Sequence, residues 1–303
     1  MAKFYLAECY HYGRGVVQNY AEAVSWYRKT SSSALSGGLI GLATFYEASV
    51  LEQHGAELGY GPAETRREAI RLYRKAAKWN EDARKALQRL GVPTEAVLIA
   101  GWGEVHDPDG DCSIEDAGTR VTIQVPAGRH DLYSRNADPT ERENAPRVMQ
   151  EVAGDFVAQV KVTADWKLRT PLPNEQNTFA AGLAIVASPQ HFLRHERILF
   201  RHRQFGTTSS FIPPIYDLNG QRLSTIEVVG ADYFQGRSTW LRMVRRGQNV
   251  STFISHDGVQ WQPTGVVTTQ LPNIVKVGVH AINAAGSPYI VEFENYELHG
   301  PDQ

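Results

Sequence analysis

The chain has 303 residues, of which 42% are hydrophobic and 21% charged, and its formal net charge at pH 7 is −2. This length is typical of about two domains, and the composition is that of a globular protein with a sizeable core. The near-neutral charge argues against nucleic acid as the main partner, because nucleic-acid-binding domains present a strongly basic surface. No run approaches the roughly 18 apolar residues that a membrane-spanning helix requires.

The two cysteines, Cys9 and Cys112, are too few for a disulfide framework and fall in different predicted domains. We therefore expect free thiols, which are typical of a reducing compartment. The first residues also lack the apolar segment and cleavage site of a secretory signal. The expected location is cytoplasmic, or outside the cytoplasm if the chain is a piece of a longer exported protein.

An internal repeat occupies the first ninety residues. Residues 22–29 return in similar form as residues 68–75, and Leu-x-x-x-Tyr at residues 6–10 returns at residues 42–46. Side chains four apart share one face of a helix, so these pairs predict the packing surface between two helices in each unit. Residues 80–90, which begin with the good N-cap residue asparagine and are followed by glycine, predict a final capping helix.

The first unit resembles the Sel-one-like (SLR) repeat, a relative of the tetratricopeptide repeat. The matching positions are Leu6, Tyr10, Gly13, Gly15, Val16, Ala23, Trp26, Tyr27 and Lys29. The second unit departs from the pattern in the longer interval between its two helices, residues 50–67. The resemblance implies a short solenoid that holds a protein partner, with a spacer as the alternative.

After Ala100 the hydrophobic period changes from 3.6 to 2, which predicts strands. The segment at residues 91–94, with its proline, ends the helical block. About a dozen strands follow without a helical interlude, which is typical of a two-sheet sandwich or jelly roll. The clearest are residues 119–125, 147–152, 155–163, 179–187, 194–203, 222–229, 238–246, 249–255, 274–282 and 289–299. Asp257-Gly258 predicts a type I′ hairpin into residues 259–261.

The order of short motifs in this region is similar to the enolase-regulator-like group of concanavalin A-like (laminin G-like) sandwiches. The motifs are Gly154-Asp155-Phe156, Ala181-Gly182-Leu183, Trp240-Leu241-Arg242, Ser255-x-Asp257-Gly258-x-x-Trp261, Val277-Gly278-Val279 and Val291-Glu292-Phe293-Glu294-Asn295-Tyr296. The resemblance spans about residues 102–300 and implies a lectin-like fold with glycan binding as the leading function. It carries over no catalytic residues, and a fold by itself does not establish a function.

A polar face on the sandwich is the main candidate for ligand binding. Lectin sites combine aromatic platforms with planar hydrogen-bonding groups, and arginines suit acidic sugars. The alternative is that these side chains only solvate an exposed sheet face. The candidate residues are Arg201, Arg203, Trp240, Arg242, His280, His130, Asp131, Asn144 and Arg147.

Two further constellations are weighed against simpler structural interpretations. Glu292, Glu294 and Glu297 resemble the acidic triplet of concanavalin-type glucanases, in which carboxylates act as nucleophile and acid, but they also fit a solvated strand. Asp107, Asp109 and Asp111 alternate as oxygen ligands for calcium would, but the same segment makes a good turn. We predict no cofactor and no metal, with calcium as the alternative.

These observations predict a multi-domain protein. A short all-α solenoid of helix-turn-helix repeats at residues 1–91 precedes an all-β concanavalin-like jelly-roll sandwich at residues 98–303. The predicted function is non-catalytic binding, with a protein partner on the repeats and a glycan, neutral or acidic, or a protein on the sandwich. The alternatives are a glycoside hydrolase or lyase of this fold and a purely structural protein–protein interaction module. Nucleic acid and a membrane span are not expected.

Overall fold

A computed structural model of the chain describes residues 1–34, 36–93, 95–132, 144–167, 177–188, 191–201, 208–211, 214–218, 221–223 and 236–300. The side chains of residue 63 and of residues 208–223 lie outside this description. Two compact units are present: Met1–Ala96 with Pro108–Gly110, and Val97–Asp107 with Asp111–Gln303. The predicted domain boundary at residues 91–98 stays a prediction, because contacts alone do not show that either unit folds by itself.

The first unit is helical, as predicted. Each helix packs against the next one in the chain, and none among the described residues is long and apolar enough to cross a membrane. The side chain of Asn80 accepts a hydrogen bond from the backbone N–H of Ala83 and caps the last helix. The helices are α1 (Ala2–Tyr12), α2 (Tyr20–Ser33), α3 (Gly37–His54), α4 (Pro62–Ala77) and α5 (Glu81–Arg89).

The repeated segments 22–29 and 68–75 each contain an Ala-x-x-x-Tyr pair, and these pairs form the centre of the helical core. Ala23 and Tyr27 on α2 are fully buried, as are Ala69 and, nearly, Tyr73 on α4. The corresponding expectation for Leu42 is wrong, because its side chain is 36% exposed. On α3 the buried positions are mainly small residues and a carboxylate, so that helix packs closely on its neighbours through a different face.

The long interval in the second repeat has a simple structural cause. The segment predicted to separate the two helices, residues 50–67, is largely helical itself. The last turns of α3 and the first turns of α4 occupy most of it, and only residues 55–61 connect them. A carboxylate connects α3 to α4 and α5, since Glu52 accepts hydrogen bonds from Tyr73 at 2.7 Å and from Arg89 at 2.8 Å.

The second unit is a sandwich of two antiparallel sheets, which confirms the predicted fold class. Within the described residues, sheet A has ten strands in the order β1-β2-β6-β16-β8-β9-β11-β12, with β5 paired to β16 and β10 to β9. Sheet B, counted in the same way, has seven strands in the order β15-β14-β13-β7-β17-β4-β3. The bounds are β1 (Leu98–Ile99), β2 (Gly103–His106), β3 (Ser113–Asp116), β4 (Arg120–Val125), β5 (Gly128–His130), β6 (Arg147–Ala153), β7 (Phe156–Ala164), β8 (Asn177–Ser188), β9 (His191–Arg201), β10 (Thr208–Phe211), β11 (Pro214–Leu218), β12 (Gln221–Leu223), β13 (Ser238–Arg246), β14 (Asn249–Ser255), β15 (Gln262–Thr268), β16 (Ile274–Ala285) and β17 (Tyr289–His299).

Among the boundaries that differ from the sequence prediction, two have a clear structural cause. Strand β9 begins at His191 rather than Arg194, because the chain there pairs with Ser188 of β8 and Leu218 of β11. The Asp257-Gly258 turn is not type I′, since Asp257 does not have the positive φ that such a turn requires. Instead its carboxylate accepts hydrogen bonds from the N–H groups of Val259 and Gln260, both at 2.8 Å, so β15 starts only at Gln262.

Sheet A carries buried apolar side chains on both of its faces. Its inner face packs against sheet B in the main core, to which Leu183, Leu193 and Val279 contribute. On its outer face lies a separate apolar cluster, formed by Leu132, Ala145, Ala180, Phe192, Ile198 and Ile282. This double cover explains why β8 is small and apolar almost throughout, since neither of its faces meets water.

Gly182, in the middle of β8, allows a close approach between β8 and β9 of sheet A. A Cβ atom at this position would lie 2.2 Å from the carbonyl oxygen of His195 and 2.5 Å from the Cα of Glu196, both backbone atoms of β9. Neither atom can move without displacing β9. The position therefore excludes any side chain.

We expect Gly182→Ala to lower the free energy of unfolding by about 1–3 kcal/mol, the usual cost of overpacking a core. Urea denaturation followed by tryptophan fluorescence measures the change. Gly236→Ala is the matched control, because a Cβ there comes no closer than 3.9 Å to another atom. Equal stability of the two variants would contradict this account of Gly182.

Candidate functional site on the outer face of sheet A

A row of polar side chains crosses the outer face of sheet A. The strand register places Glu196 of β9 opposite Gly182 of β8, Gly182 opposite His280 of β16, and His280 opposite Arg147 of β6. Directly paired residues project to the same face of a sheet. Because Gly182 has no side chain, Glu196 and His280 meet across it.

The polar side chains in and beside the row lie close together, and three of them are buried. His280 Nε2 lies 2.5 Å from Glu196 Oε2, and Arg194 Nη1 lies 3.5 Å from Glu196 Oε1. The same guanidinium nitrogen is 3.9 Å from Asp131 Oδ1. The side chains of Glu196 and His280 are 0% exposed and that of Arg194 is 4% exposed. We call Arg194, Glu196, His280 and Asp131 the polar cluster.

Three buried atoms of the polar cluster have no hydrogen-bond partner within the described part of the chain: Arg194 Nε, Glu196 Oε1 and His280 Nδ1. The contact of Arg194 with Glu196 Oε1 is an ion pair without hydrogen-bond geometry. Since Nε2–H of His280 donates to a carboxylate, a neutral ring leaves Nδ1 as a free acceptor. The cluster thus offers one donor and two acceptors that a ligand could satisfy.

The pKa values of the two carboxylates in the polar cluster are shifted in opposite directions. Burial acts to raise the pKa of Glu196, but the charge of Arg194 and the hydrogen bond from His280 outweigh it and lower that pKa below its usual value. Burial raises the pKa of Asp131, and Arg194 opposes that shift only in part. Glu196 is therefore held as the anion, while Asp131 protonates more readily.

The polar cluster reaches solvent on one side, where Asp131 retains 23% of its side-chain exposure and Arg147 is half-buried. Asn144 shapes this rim: its Oδ1 accepts from the N–H of Asp131 at 2.9 Å and its Nδ2 donates to Arg129 O at 2.8 Å. Arg147 Nη1 donates to the carbonyl of Ala145 at 3.2 Å. We call Asp131, Asn144 and Arg147 the rim.

The predicted ligand-binding residues do not form one surface. His280, Asp131, Asn144 and Arg147 belong to the polar cluster or its rim, and His130 is fully buried beside it with Nε2 3.0 Å from Asp111 Oδ1. His280 is fully buried, so the alternative that it only solvates an exposed sheet face is wrong. Arg201 is two residues after Leu199, so it projects to the same, inner side of β9. Arg203 lies outside the described residues.

Trp240 and Arg242 lie on the other sheet, on the outer face of β13. The Arg242 guanidinium stacks 3.8 Å above the Trp261 ring and donates to Gln159 Oε1 at 2.6 Å. Trp261, the last residue of the Ser255-x-Asp257-Gly258-x-x-Trp261 motif, is thus part of this surface. Gly258 packs against the indole of Trp240 so closely that a Cβ would come within 2.8 Å of it.

The acidic triplet also lies on sheet B. Glu292 and Glu294 project to the outer face of β17, and a bulge follows Glu294, with Asn295 at φ 53°. Glu294 pairs with Lys161 at 2.9 Å, and Glu297 accepts from Gln159 at 2.9 Å. Both carboxylates therefore take part in cross-strand pairs, as the solvated-strand interpretation expects.

The three aspartates considered as alternative calcium ligands make different contacts in this structure. Asp107 Oδ2 accepts from the N–H of Cys112 at 3.1 Å, and Asp111 contacts His130. Asp109 is buried. Among the described residues, the one group of potential ligand atoms within 4.8 Å of each other is Asp111, Cys112 and His130.

Sequence analysis missed Arg194 and Glu196, which lie at the centre of the site. A signal was present: Arg194-His195-Glu196-Arg197 is a run of four polar residues, and the structure buries all four. Long charged side chains are almost never fully buried unless they are paired, so such a run within a strand predicts networks on both of its faces.

The site and fold together define a class of protein: a helical-repeat unit followed by a two-sheet concanavalin-like sandwich with a buried polar cluster. The comparisons with known families agree with this class. Residues 1–33 and 52–78 match the Sel1 repeat. Residues 110–301 match the family described as "Protein of unknown function (DUF1349)", and the chain belongs to that family. The search of curated proteins found no match.

Solved structures share the sandwich at low identity. A functionally unknown protein from Saccharomyces cerevisiae aligns with a TM-score of 0.50 and 17% identity, over 62% of this chain and 92% of that one. The GH43 protein BlXynB from Bacillus licheniformis gives 0.46 and 16%, over 67% and 37% of the two chains. Carbohydrate binding module CBM66 from Bacillus subtilis gives 0.36 and 8%, over 67% and 100%. At this low identity, the alignment with the yeast protein supports the fold alone. The other two alignments have TM-scores below 0.5, and we base no conclusion on them.

On the inner side of β9, His195 connects the two sheets. Its Nε2–H donates to the carbonyl of Phe253 on β14 at 2.8 Å, and the ring is fully buried. Burial lowers the pKa of His195 to about 4. The folded protein therefore holds a neutral imidazole at a pH where the unfolded chain binds a proton.

Stability should fall as the pH decreases from about 6.5 to about 4, because only the unfolded state takes up this proton; the shift corresponds to about 3 kcal/mol. The lowered pKa of Glu196 adds to the loss at the acid end, and the raised pKa of Asp131 opposes it. His195→Gln should flatten this dependence, measured as the unfolding midpoint across that pH range. His256→Gln, at an exposed histidine, should keep the wild-type slope. A His195→Gln variant with an unchanged slope would refute the assignment.

Proposed function

We propose that this chain is a non-catalytic binding protein whose sandwich takes up a glycan at the polar cluster and whose helical repeats contact a protein partner. The Sel1 repeats and the lectin-like sandwich are consistent with binding. The observation that carries the proposal is the trio of buried, unsatisfied atoms on Arg194, Glu196 and His280. Leaving such atoms without partners costs roughly 1–3 kcal/mol each, and more for charged groups, so a ligand that satisfies them gains affinity.

The chemistry of the polar cluster favours a hydroxylated, neutral ligand. Arg194 Nε donates, whereas Glu196 Oε1 and His280 Nδ1 accept, and a sugar hydroxyl can do both. The two arginines near the site, Arg194 and Arg147, are offset by Glu196 and Asp131, so little net charge remains to attract an acidic sugar. Between the neutral and acidic glycans considered from sequence, the charge balance supports the neutral one.

A ligand would enter from the rim. The polar cluster is otherwise buried, with the side chains of Glu196 and His280 0% exposed, and residues of the apolar cluster lie beside it on the same face of sheet A. Binding therefore requires these buried side chains to become accessible, and the free-energy cost of that opening reduces the observed affinity. We expect modest affinity and slow association compared with a preformed open groove.

A groove on the helical unit is the proposed binding surface for the protein partner. A shallow depression of about 470 Å³ lies along α1 and α2, lined by Lys3, Val24, Arg28, Lys29 and Ser32 among others. Its three basic residues would suit a partner with an acidic segment. This part of the proposal is independent of the glycan.

The test uses the same substitution on opposite sheets of the full chain. Arg147→Gln changes the rim, whereas Arg242→Gln changes the sheet B surface with Trp240 and Trp261. Both arginines are half-buried. An array of neutral and acidic oligosaccharides first identifies a bound sugar, and calorimetry then compares the variants. We expect Arg147→Gln to weaken binding by about 10-fold, as loss of a hydrogen bond of about 1.4 kcal/mol does, and Arg242→Gln to bind normally.

Each outcome of this comparison is informative. Selective loss of binding in Arg242→Gln would place the ligand on sheet B and overturn the proposed site. If the wild-type protein bound no sugar on the array, the proposed glycan function would be overturned. The structural protein–protein interaction module would then remain as the alternative. Circular dichroism on both variants guards against misfolding.

A second candidate function follows from the opposite pKa shifts of Asp131 and Glu196. Both carboxylates lie within 4 Å of one guanidinium nitrogen, at 3.9 and 3.5 Å. One protonated and one ionised carboxyl group at a separation of roughly 5–9 Å is the arrangement of glycoside hydrolases. If the chain is a hydrolase, Asp131→Asn should abolish hydrolysis of p-nitrophenyl glycosides, whereas Glu292→Gln and Glu294→Gln should not. Activity that survives Asp131→Asn would exclude this assignment.

A further inference from the structure

Three side chains of different chemistry converge next to strand β5. His130 Nε2 lies 3.0 and 3.3 Å from the two carboxylate oxygens of Asp111, and Cys112 Sγ lies 3.6 Å from Asp111 Oδ1. One ligand atom from each residue lies within 4.8 Å of both others. This group is separate from the polar cluster and uses a donor set that the calcium prediction did not include.

The backbone holds these donors in place. His130 ends β5, where it pairs with Asn283 of β16, and it is fully buried. Cys112 directly precedes β3, and its N–H donates to Asp107 Oδ2 at 3.1 Å, which closes the turn before it. The donors come from two segments fixed by sheet pairing, so their convergence does not depend on a flexible loop alone.

We propose that Asp111, Cys112 and His130 bind Zn²⁺. With zinc–ligand distances of about 2.0–2.3 Å, donors around a tetrahedral ion lie roughly 3.3–3.7 Å apart. The observed separations of 3.0 and 3.6 Å fit that geometry after small adjustments. A thiolate and an imidazole select zinc over calcium or magnesium, which take oxygen ligands.

The charge at the site also favours a dication. The carboxylates of Asp107 and Asp111 both lie against the Cys112 thiol, which can donate its single proton to only one of them. Zinc would take the thiolate as a ligand and release that proton to solvent, so the step is a metal–proton exchange without oxidation. Three protein ligands leave the fourth position to water or to the Asp107 carboxylate.

The test exploits the presence of two cysteines in different units. Cys112→Ser removes the proposed ligand, and Cys9→Ser, in α1, is the matched control. The full chain is titrated with Co²⁺, whose thiolate complex gives a ligand-to-metal absorption band in the near ultraviolet, and then with Zn²⁺ to displace it. Wild type and Cys9→Ser should each bind one equivalent with this band, and zinc should raise their unfolding midpoints.

A Cys112→Ser variant that binds no cobalt supports the site, and one that keeps the band overturns it. If this variant fails to fold, thiol modification of Cys9→Ser decides instead. Zinc should then slow modification of its remaining thiol, Cys112, at least 10-fold, and an unchanged rate would refute the proposal. Failure of wild type to bind cobalt or zinc would refute it too, and uptake of Ca²⁺ alone would favour the oxygen-ligand alternative. None of these results depends on glycan binding.

Discussion

The buried contact between Glu196 and His280 is the constraint around which sheet A is arranged. A carboxylate without exposure to solvent is destabilising by several kcal/mol unless it is paired and hydrogen-bonded. Three features of the fold meet this requirement together. Gly182 leaves space for the two side chains to meet, Arg194 supplies the counter-charge, and the register of β9, β8 and β16 places them in one row. A slip of one residue in any of these strands would turn its side chain to the opposite face and separate the pair.

This constraint also explains the unusual character of the outer face. In a typical antiparallel sandwich the outer side of a sheet is solvated and its polar residues need no partners. In sheet A an apolar cluster occupies part of that side, and Arg194, Glu196 and His280 are buried beside it. Each of them must therefore be matched by another group. The polar cluster is where the matching is incomplete, and that is the physical basis for regarding it as a site.

Local patterns in the sequence were enough for the architecture but not for the site. Alternation of Leu241 and Met243 with Trp240 and Arg242 predicts β13 with its correct bounds, and the paired Ala-x-x-x-Tyr motifs predict the helical core. Alternation does not say which sheet a strand joins. Trp240 and His280 were therefore grouped on one polar face, although they lie on different sheets. His280, the hydrogen-bond partner of Glu196, is 84 residues away in the chain, so no local motif could reveal this contact.

The Asp257-Gly258 turn shows a related limit. The dipeptide correctly predicts a reversal of the chain, but the geometry depends on the Asp257 carboxylate, which caps two following N–H groups. The same holds for the acidic triplet of β17, whose spacing predicts a shared face. The cross-strand partners Lys161 and Gln159, which engage two of its members, depend on tertiary pairing.

Strand β9 has one property that extends beyond the site itself. Arg194 and Glu196 project to the outer face, while the intervening His195 projects inward and holds the carbonyl of Phe253 on the opposite sheet. One backbone thus belongs to two polar networks on opposite sides of a layer. A shift of β9 by a fraction of an ångström alters both sets of hydrogen bonds at once. The sandwich is therefore mechanically coupled across its thickness, and an event at the outer face of sheet A is transmitted to β14 through a single strand.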